Sequence, residues 1–170
     1  MEHLSHLVEY HLWAHDRLLE QVRQLTAEEW EIDTRGSFPT LRVLYQHILE
    51  GDYRWLQRWK GVPIAEIPPH YRVEGYESLE RLFRPQLQEM LEVGKQCLES
   101  GANRPVYFIT AKGLKVTQPF WQTLYQTANH GTYHRGQVAH MLRAMGRQPA
   151  GTDIFLFFLE RYPFEPPTEM

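Results

Sequence analysis

The stretch PFWQTLYQTANHGTYHRGQVAHMLRAMG, residues 119–146, opens on a proline and closes on a glycine, which suit the first helical position and the position just past a helix end. It therefore reads as one long helix with Pro119 at its start, following Thr117 or Gln118, and Gly146 at its stop. Within it, His130 and His134 lie four residues apart, so they share a face with Cβ atoms roughly 6 Å apart and can bind one metal ion. Spacing alone does not make a site. Nine histidines in 170 residues give about half a pair at this spacing by chance, and two pairs occur, His11/His15 and His130/His134.

Working outward, three further helices appear. Leu4, Leu7, His11, Leu18, Val22 and Leu25 recur at three, four and seven, the buried stripe of an amphipathic helix. Thr26 with Glu29 then forms a capping box for a short helical turn. After the breaker at 36–39, Thr40 is placed to cap a second long helix running to about Lys60, with Phe38 stapled onto Leu44 and Gly61 and Pro63 as its stop. A proline-bearing loop fills 61–75. Leu79, Leu82, Phe83, Leu87, Met90, Leu91 and Leu98 mark a third long helix, with a bend expected at Pro85 and a C-cap at Gly101.

Residues 106–110 and 114–117 flank Ala111-Lys112-Gly113 as a short β-hairpin, and Thr152 is expected to cap a short aromatic helix from Asp153 to Arg161. The expected fold is thus all-α: a four-helix bundle with a β-hairpin before the fourth long helix and a short C-terminal helix. It forms one domain over residues 1–162, followed by a tail at 163–170.

Composition narrows the function. A formal charge of -3 and a pI near 6.3 offer no broad basic face, which argues against a nucleic-acid partner. No apolar run approaches the roughly 20 residues a bilayer needs, and the N-terminus lacks a signal-peptide pattern, so the expected location is cytoplasmic without a membrane partner. Cys97 stands alone, which removes an intrachain disulfide and a thiolate-rich zinc site; on the apolar side of its helix it reads as inert packing. Any metal must use histidine or carboxylate.

His47 lies in an apolar helical stripe with Val43, Leu44 and Ile48, and Gly51 follows one turn on. It reads either as a hydrogen-bonded core histidine or as a third ligand facing His130 and His134 across the bundle. Glu50 is the nearest carboxylate on that helix, as a base or as a group orienting a ligand, against the plainer reading of a solvated charge.

At this point the sequence resembles the DinB-like (DinB/YfiT) family of metal-dependent enzymes along most of its length. Tyr10-His11-Leu12-Trp13-Ala14-His15 is similar to the family's first helix, residues 40–49 to its second, and His130-Gly131-Thr132-Tyr133-His134-Arg135-Gly136-Gln137 to its fourth-helix signature, while Asp153, Phe157 and Phe158 resemble its C-terminal helix. The resemblance implies that His47, His130 and His134 hold the metal. Many relatives carry Asn where this chain has His15, so the His11/His15 pair reads as a surface or half-buried pair outside the site. Tyr133, Arg135 and Gln137 belong to the motif without an assigned role.

Three neutral imidazoles leave positions open to water or substrate. Gly131 stands where a His-Glu-x-x-His protease has its glutamate, so a protease is not expected. Zinc or nickel suits the imidazole set, with iron or manganese as alternatives. The resemblance implies a small-molecule substrate and a thiol-dependent transferase or a hydrolase, with a low-molecular-weight thiol as cosubstrate. The alternative is a non-catalytic metal-binding or stress-response protein in which the ion stabilises the bundle. The family commonly dimerises, and apparent surface aromatics at Trp55, Trp59 and 155–158 fit a homodimer.

Overall fold

The computed structural model describes residues 2–163. The chain is mostly helical: α1 (Glu2–Val22), α2 (Ala27–Trp30), α3 (Leu41–Trp59), α4 (Tyr76–Glu99), β1 (Pro105–Ile109), β2 (Lys115–Pro119), α5 (Phe120–Ala144) and α6 (Ile154–Arg161). Among the described residues no helix is long and apolar enough to cross a membrane. The expected tail lies outside the described residues beyond Pro163.

Local chemistry sets the helix ends. Thr26 Oγ1 accepts from the Glu29 N–H at 3.3 Å while the Glu29 carboxylate accepts from the Thr26 N–H at 2.8 Å, the reciprocal box expected for α2. Thr40 Oγ1 accepts from the Val43 N–H at the start of α3. Gly146, at φ +74, closes α5, where the Arg147 N–H reaches back to the Leu142 carbonyl.

Two boundaries differ from expectation. Pro119 sits at the N-cap of α5 because it still pairs with Pro105 as the last residue of β2. Asp153, rather than Thr152, occupies the N-cap of α6, and the Thr152 carbonyl instead accepts from the Tyr10 hydroxyl at 2.9 Å. Helix α4 continues through Pro85, which lies on an exposed face where water can satisfy the carbonyl that proline leaves without a donor.

Helix α1 packs against α4 and α5, and α3 packs against the same two. The β1–β2 hairpin is antiparallel, with Tyr107 opposite Thr117, and points Val106 and Phe108 inward. Trp59 is buried rather than exposed, its indole N–H donating to Thr123 Oγ1 at 3.0 Å, and Phe157 is buried against Tyr10 and Trp13. The aromatics left at the surface include Trp121, Tyr125, Tyr133 and Phe155.

Among the described residues the core holds three apolar clusters, one of them Tyr10, Trp13, Ala14 and Phe157, and a polar layer lies between the other two. Leu18, Leu49, Phe83 and Val138 belong to one of these two, and Val8, Leu56, Met90 and Leu124 to the other. Between them, the same helices place His11 and His15 on α1, Asp52 on α3, Gln86 on α4, and His134 and Arg135 on α5, all buried. Burying polar groups costs free energy unless they find partners, so this layer must be internally satisfied or functional. It is where the candidate site lies.

Candidate metal centre

Helices α3 and α5 bring His47, His130 and His134 together. His134 Nε2 lies 3.1 Å from His47 Nε2 and 3.0 Å from His130 Nε2, and one nitrogen from each ring falls within 4.8 Å of the others. The close approach depends on Gly51: a Cβ there would sit 2.9 Å from His130 Cε1. Phe38 walls the other side, its ring centroid 4.9 Å from that of His47 and 5.6 Å from that of His134.

The protonation pattern of the cluster follows from Gln137. Its Oε1 accepts from His134 Nδ1 at 2.7 Å, and an amide oxygen can only accept, so Nδ1 carries the proton and Nε2 presents its single lone pair. That lone pair faces two other ring nitrogens at hydrogen-bond distance, more than one imidazole nitrogen can serve. A shared cation satisfies all three at once, and a neutral imidazole with its other nitrogen hydrogen-bonded is the usual form of a histidine ligand. Burial, with His134 close by, pushes His130 down to about 4; burial likewise lowers His47, so both rings are neutral at neutral pH. The donor set fits a divalent transition ion.

Glu50 turns elsewhere. Its Oε1 accepts from Gln46 Nε2 at 2.8 Å and its Oε2 pairs with Arg54 at 3.0 Å, so both oxygens are engaged along its own helix. The tyrosine of the motif, Tyr133, touches His134 edge-on with centroids 5.1 Å apart and stays largely exposed. Cys97 is buried as expected; Arg104 donates to its sulfur at 3.0 Å, yet burial dominates and raises the thiol above its ordinary value.

The largest departure from the sequence reading is the His11/His15 pair, which is neither surface nor half-buried: the two residues are 4% and 1% exposed. His11 Nε2 lies 2.9 Å from Asp52 Oδ2, and His11, His15 and Asp52 form a second cluster of potential ligands. Arg135, itself 1% exposed, donates to His15 Nε2 at 3.3 Å and to the hydroxyls of Tyr10 and Thr132 at 2.9 Å each. A fixed guanidinium beside His15 opposes a second divalent ion, and it balances the buried Asp52 carboxylate across the two rings. Burial first, then His11 and Arg135, hold the His15 ring well below its ordinary value, so it stays neutral and accepts the Arg135 proton donor.

Gly131 joins the two clusters. A Cβ at this position would lie 2.6 Å from Arg135 Nη1 and 2.8 Å from His11 Cε1. The residue after His130 therefore has no room for a side chain, and a protease-type glutamate there would displace Arg135 or His11.

The model of the family described as "DinB family" matches residues 1–163. The chain is 25% identical over 158 residues to the protein described as "Protein DinB" of Bacillus subtilis (strain 168), an alignment spanning 89% of this chain and 91% of that relative.

Proposed function

The chain belongs to the DinB family, and from that premise we propose that it is a metal-dependent enzyme whose divalent ion is held by His47, His130 and His134. Zinc or nickel suits three imidazoles best, with iron or manganese as alternatives. We read α1, α3, α4 and α5 as a four-helix bundle of the DinB/YfiT type forming one domain over residues 1–162. The observation that carries the functional reading is the bond from His134 to Gln137, which leaves a lone pair aimed at two other histidines.

When bound, such an ion supplies Lewis acidity and lowers the pKa of a water or thiol. The chain's own residues do the rest. Gln137 orients His134, Gly51 admits the His130 ring, and Phe38 keeps one side of the cluster apolar. Three ligands leave positions open for a substrate, which fits thiol-dependent transfer or hydrolysis of a small molecule, with a low-molecular-weight thiol as cosubstrate. Glu50, tied to Gln46 and Arg54, would act as a base only after leaving those partners. We place the protein in the cytoplasm as a homodimer that uses the exposed aromatics of α6, Phe155 and Phe158.

A second reading has one observation in its favour: the three histidines pin α3 to α5, so an ion there would also stabilise the fold without turnover. The two readings separate in one experiment. Metal-stripped wild type and His47→Ala are assayed against a panel of thiols and electrophiles while thermal unfolding is followed. The enzyme reading expects activity to vanish with the helical fold retained. Loss of thermal stability in step with metal, with no turnover under any condition, supports the structural reading instead.

A further inference from the structure

The α3/α5 surface carries a groove beside the three histidines. The two helices run antiparallel there: Gly51 meets His130, and further along Trp59 meets Thr123. Trp55 lies between these points on α3, and with Phe108, Trp121 and Tyr125 it gives the groove four aromatic side chains. The remaining lining is four carboxamides, Gln118, Gln122, Gln126 and Asn129, and the volume is about 590 Å³, within the usual range for a small-molecule site. Asn129 immediately precedes His130 and Gln126 lies one helical turn before it, so the groove ends beside the metal centre.

Its walls are chemically distinctive. None of the lining residues is charged. The Arg58 guanidinium sits 4.5 Å from the Trp55 ring and 4.6 Å from the Phe108 ring, and those two rings meet edge-on at 5.3 Å, which fixes one wall. Trp121 and Tyr125 form an open edge, 37% and 51% exposed. Aromatic walls favour a flat ring, and carboxamides offer both donors and acceptors to neutral substituents, whereas a charged group would lose water without gaining a counter-ion from the lining. A groove of similar volume between α1, α4 and α6 differs on both counts. It is lined by charges such as Glu9, Asp16, Arg17 and Lys95, partly paired among themselves, and no residue of its lining adjoins one of the three histidines in sequence.

We propose that the α3/α5 groove seats an uncharged planar ring with hydrogen-bonding substituents and directs the rest of that molecule to His47, His130 and His134. The ring-binding half stands on the groove alone; the directing half rests on the metal-enzyme reading.

The test is a titration of the metal-loaded protein with 4-nitrobenzamide, a neutral planar amide, followed through the indole N–H resonances of the five tryptophans. The Trp55 and Trp121 resonances should move while those of Trp13, Trp30 and Trp59 stay. Trp121→Ala should weaken binding about fivefold to tenfold, Trp13→Phe should leave it unchanged, and anionic 4-nitrobenzenesulfonate should bind more weakly by a similar factor. His134→Ala, which removes a proposed metal ligand, should still bind the ring. If wild type holds no metal yet Trp55 and Trp121 respond, the enzyme reading fails and the ring site survives. Unmoved Trp55 and Trp121 resonances at millimolar probe overturn the ring site, as does movement on protein dilution instead of probe addition, which would assign the groove to a second copy of the chain.

Discussion

His134 and Gln137 are joined by a 2.7 Å bond from the ring Nδ1 to the amide Oε1, one turn along α5, and this bond decides which nitrogen of His134 faces His47 and His130. Gln137→Ala should therefore loosen the ring and weaken metal binding by about 10-fold to 100-fold, the usual cost of losing an outer hydrogen bond to a ligand. Gln137→Glu keeps an acceptor at that place and should retain most of the affinity. Competition against a chelator measures both; equal affinity in wild type and Gln137→Ala would remove the orienting role.

Gly51 and Gly136 make a paired test of steric fit. A methyl group at position 51 would lie 2.9 Å from His130 Cε1, whereas at position 136 it would meet nothing within 4 Å. Gly51→Ala should displace the His130 ring and reduce metal affinity. Gly136→Ala, in the exposed interior of α5, should leave metal affinity unchanged and stabilise the fold by about 0.5–1 kcal/mol. Metal titration and urea unfolding read the two effects separately.

The buried charges predict a stability effect. Buried Arg135 donates to His15, Tyr10 and Thr132, with Asp52 across the histidine pair. Arg135→Met removes the guanidinium of this layer and leaves the Asp52 carboxylate without its counter-charge, so it should destabilise by about 3 kcal/mol or more. Adding Asp52→Asn should recover part of that loss. Additive effects in the double variant, measured by urea unfolding, would show that the two charges are not coupled.

Metal-stripped protein should become less stable in mild acid. His130 is held down to about 4 by burial and by His134, and burial also lowers His47 and His15, while in an unfolded chain such rings titrate near about 6.5. Between these values the unfolded chain binds more protons than the folded one, so stability rises with pH across the window. The urea midpoint should fall as pH drops from about 6.5 towards about 4. A midpoint that is flat over that range would contradict neutral, buried rings in the native state.

Much of this architecture was legible from local rules. Thr26 with Glu29, Thr40, and the glycines at 61, 101 and 146 mark helix ends because backbone capping acts over a few residues. His130 and His134 were legible as a pair through helical spacing, and His47 as their partner only through the family resemblance. What stayed hidden depends on packing between distant segments. His11 and His15 look like an ordinary polar pair until Asp52, 41 residues beyond His11, and Arg135, 120 beyond His15, meet them in the core. Phe38 reads in sequence as a helix staple; it does pack on the core that contains Leu44, yet its ring also walls the histidines. Trp59 looked like a surface aromatic because its partner, Thr123, is 64 residues away. Glu50 was close to His47 by helical arithmetic, but the side chains of Gln46 and Arg54, four residues to either side, claim it.

Elemental analysis of the protein purified without a histidine tag tests the central claim most directly. The account predicts about one transition-metal ion per chain, lost in His134→Ala and in His47→Ala but retained in His11→Gln, whose ring belongs to the Asp52 and Arg135 layer. Wild type without tightly held metal, or metal that leaves with His11 and stays when His134 is removed, would contradict it.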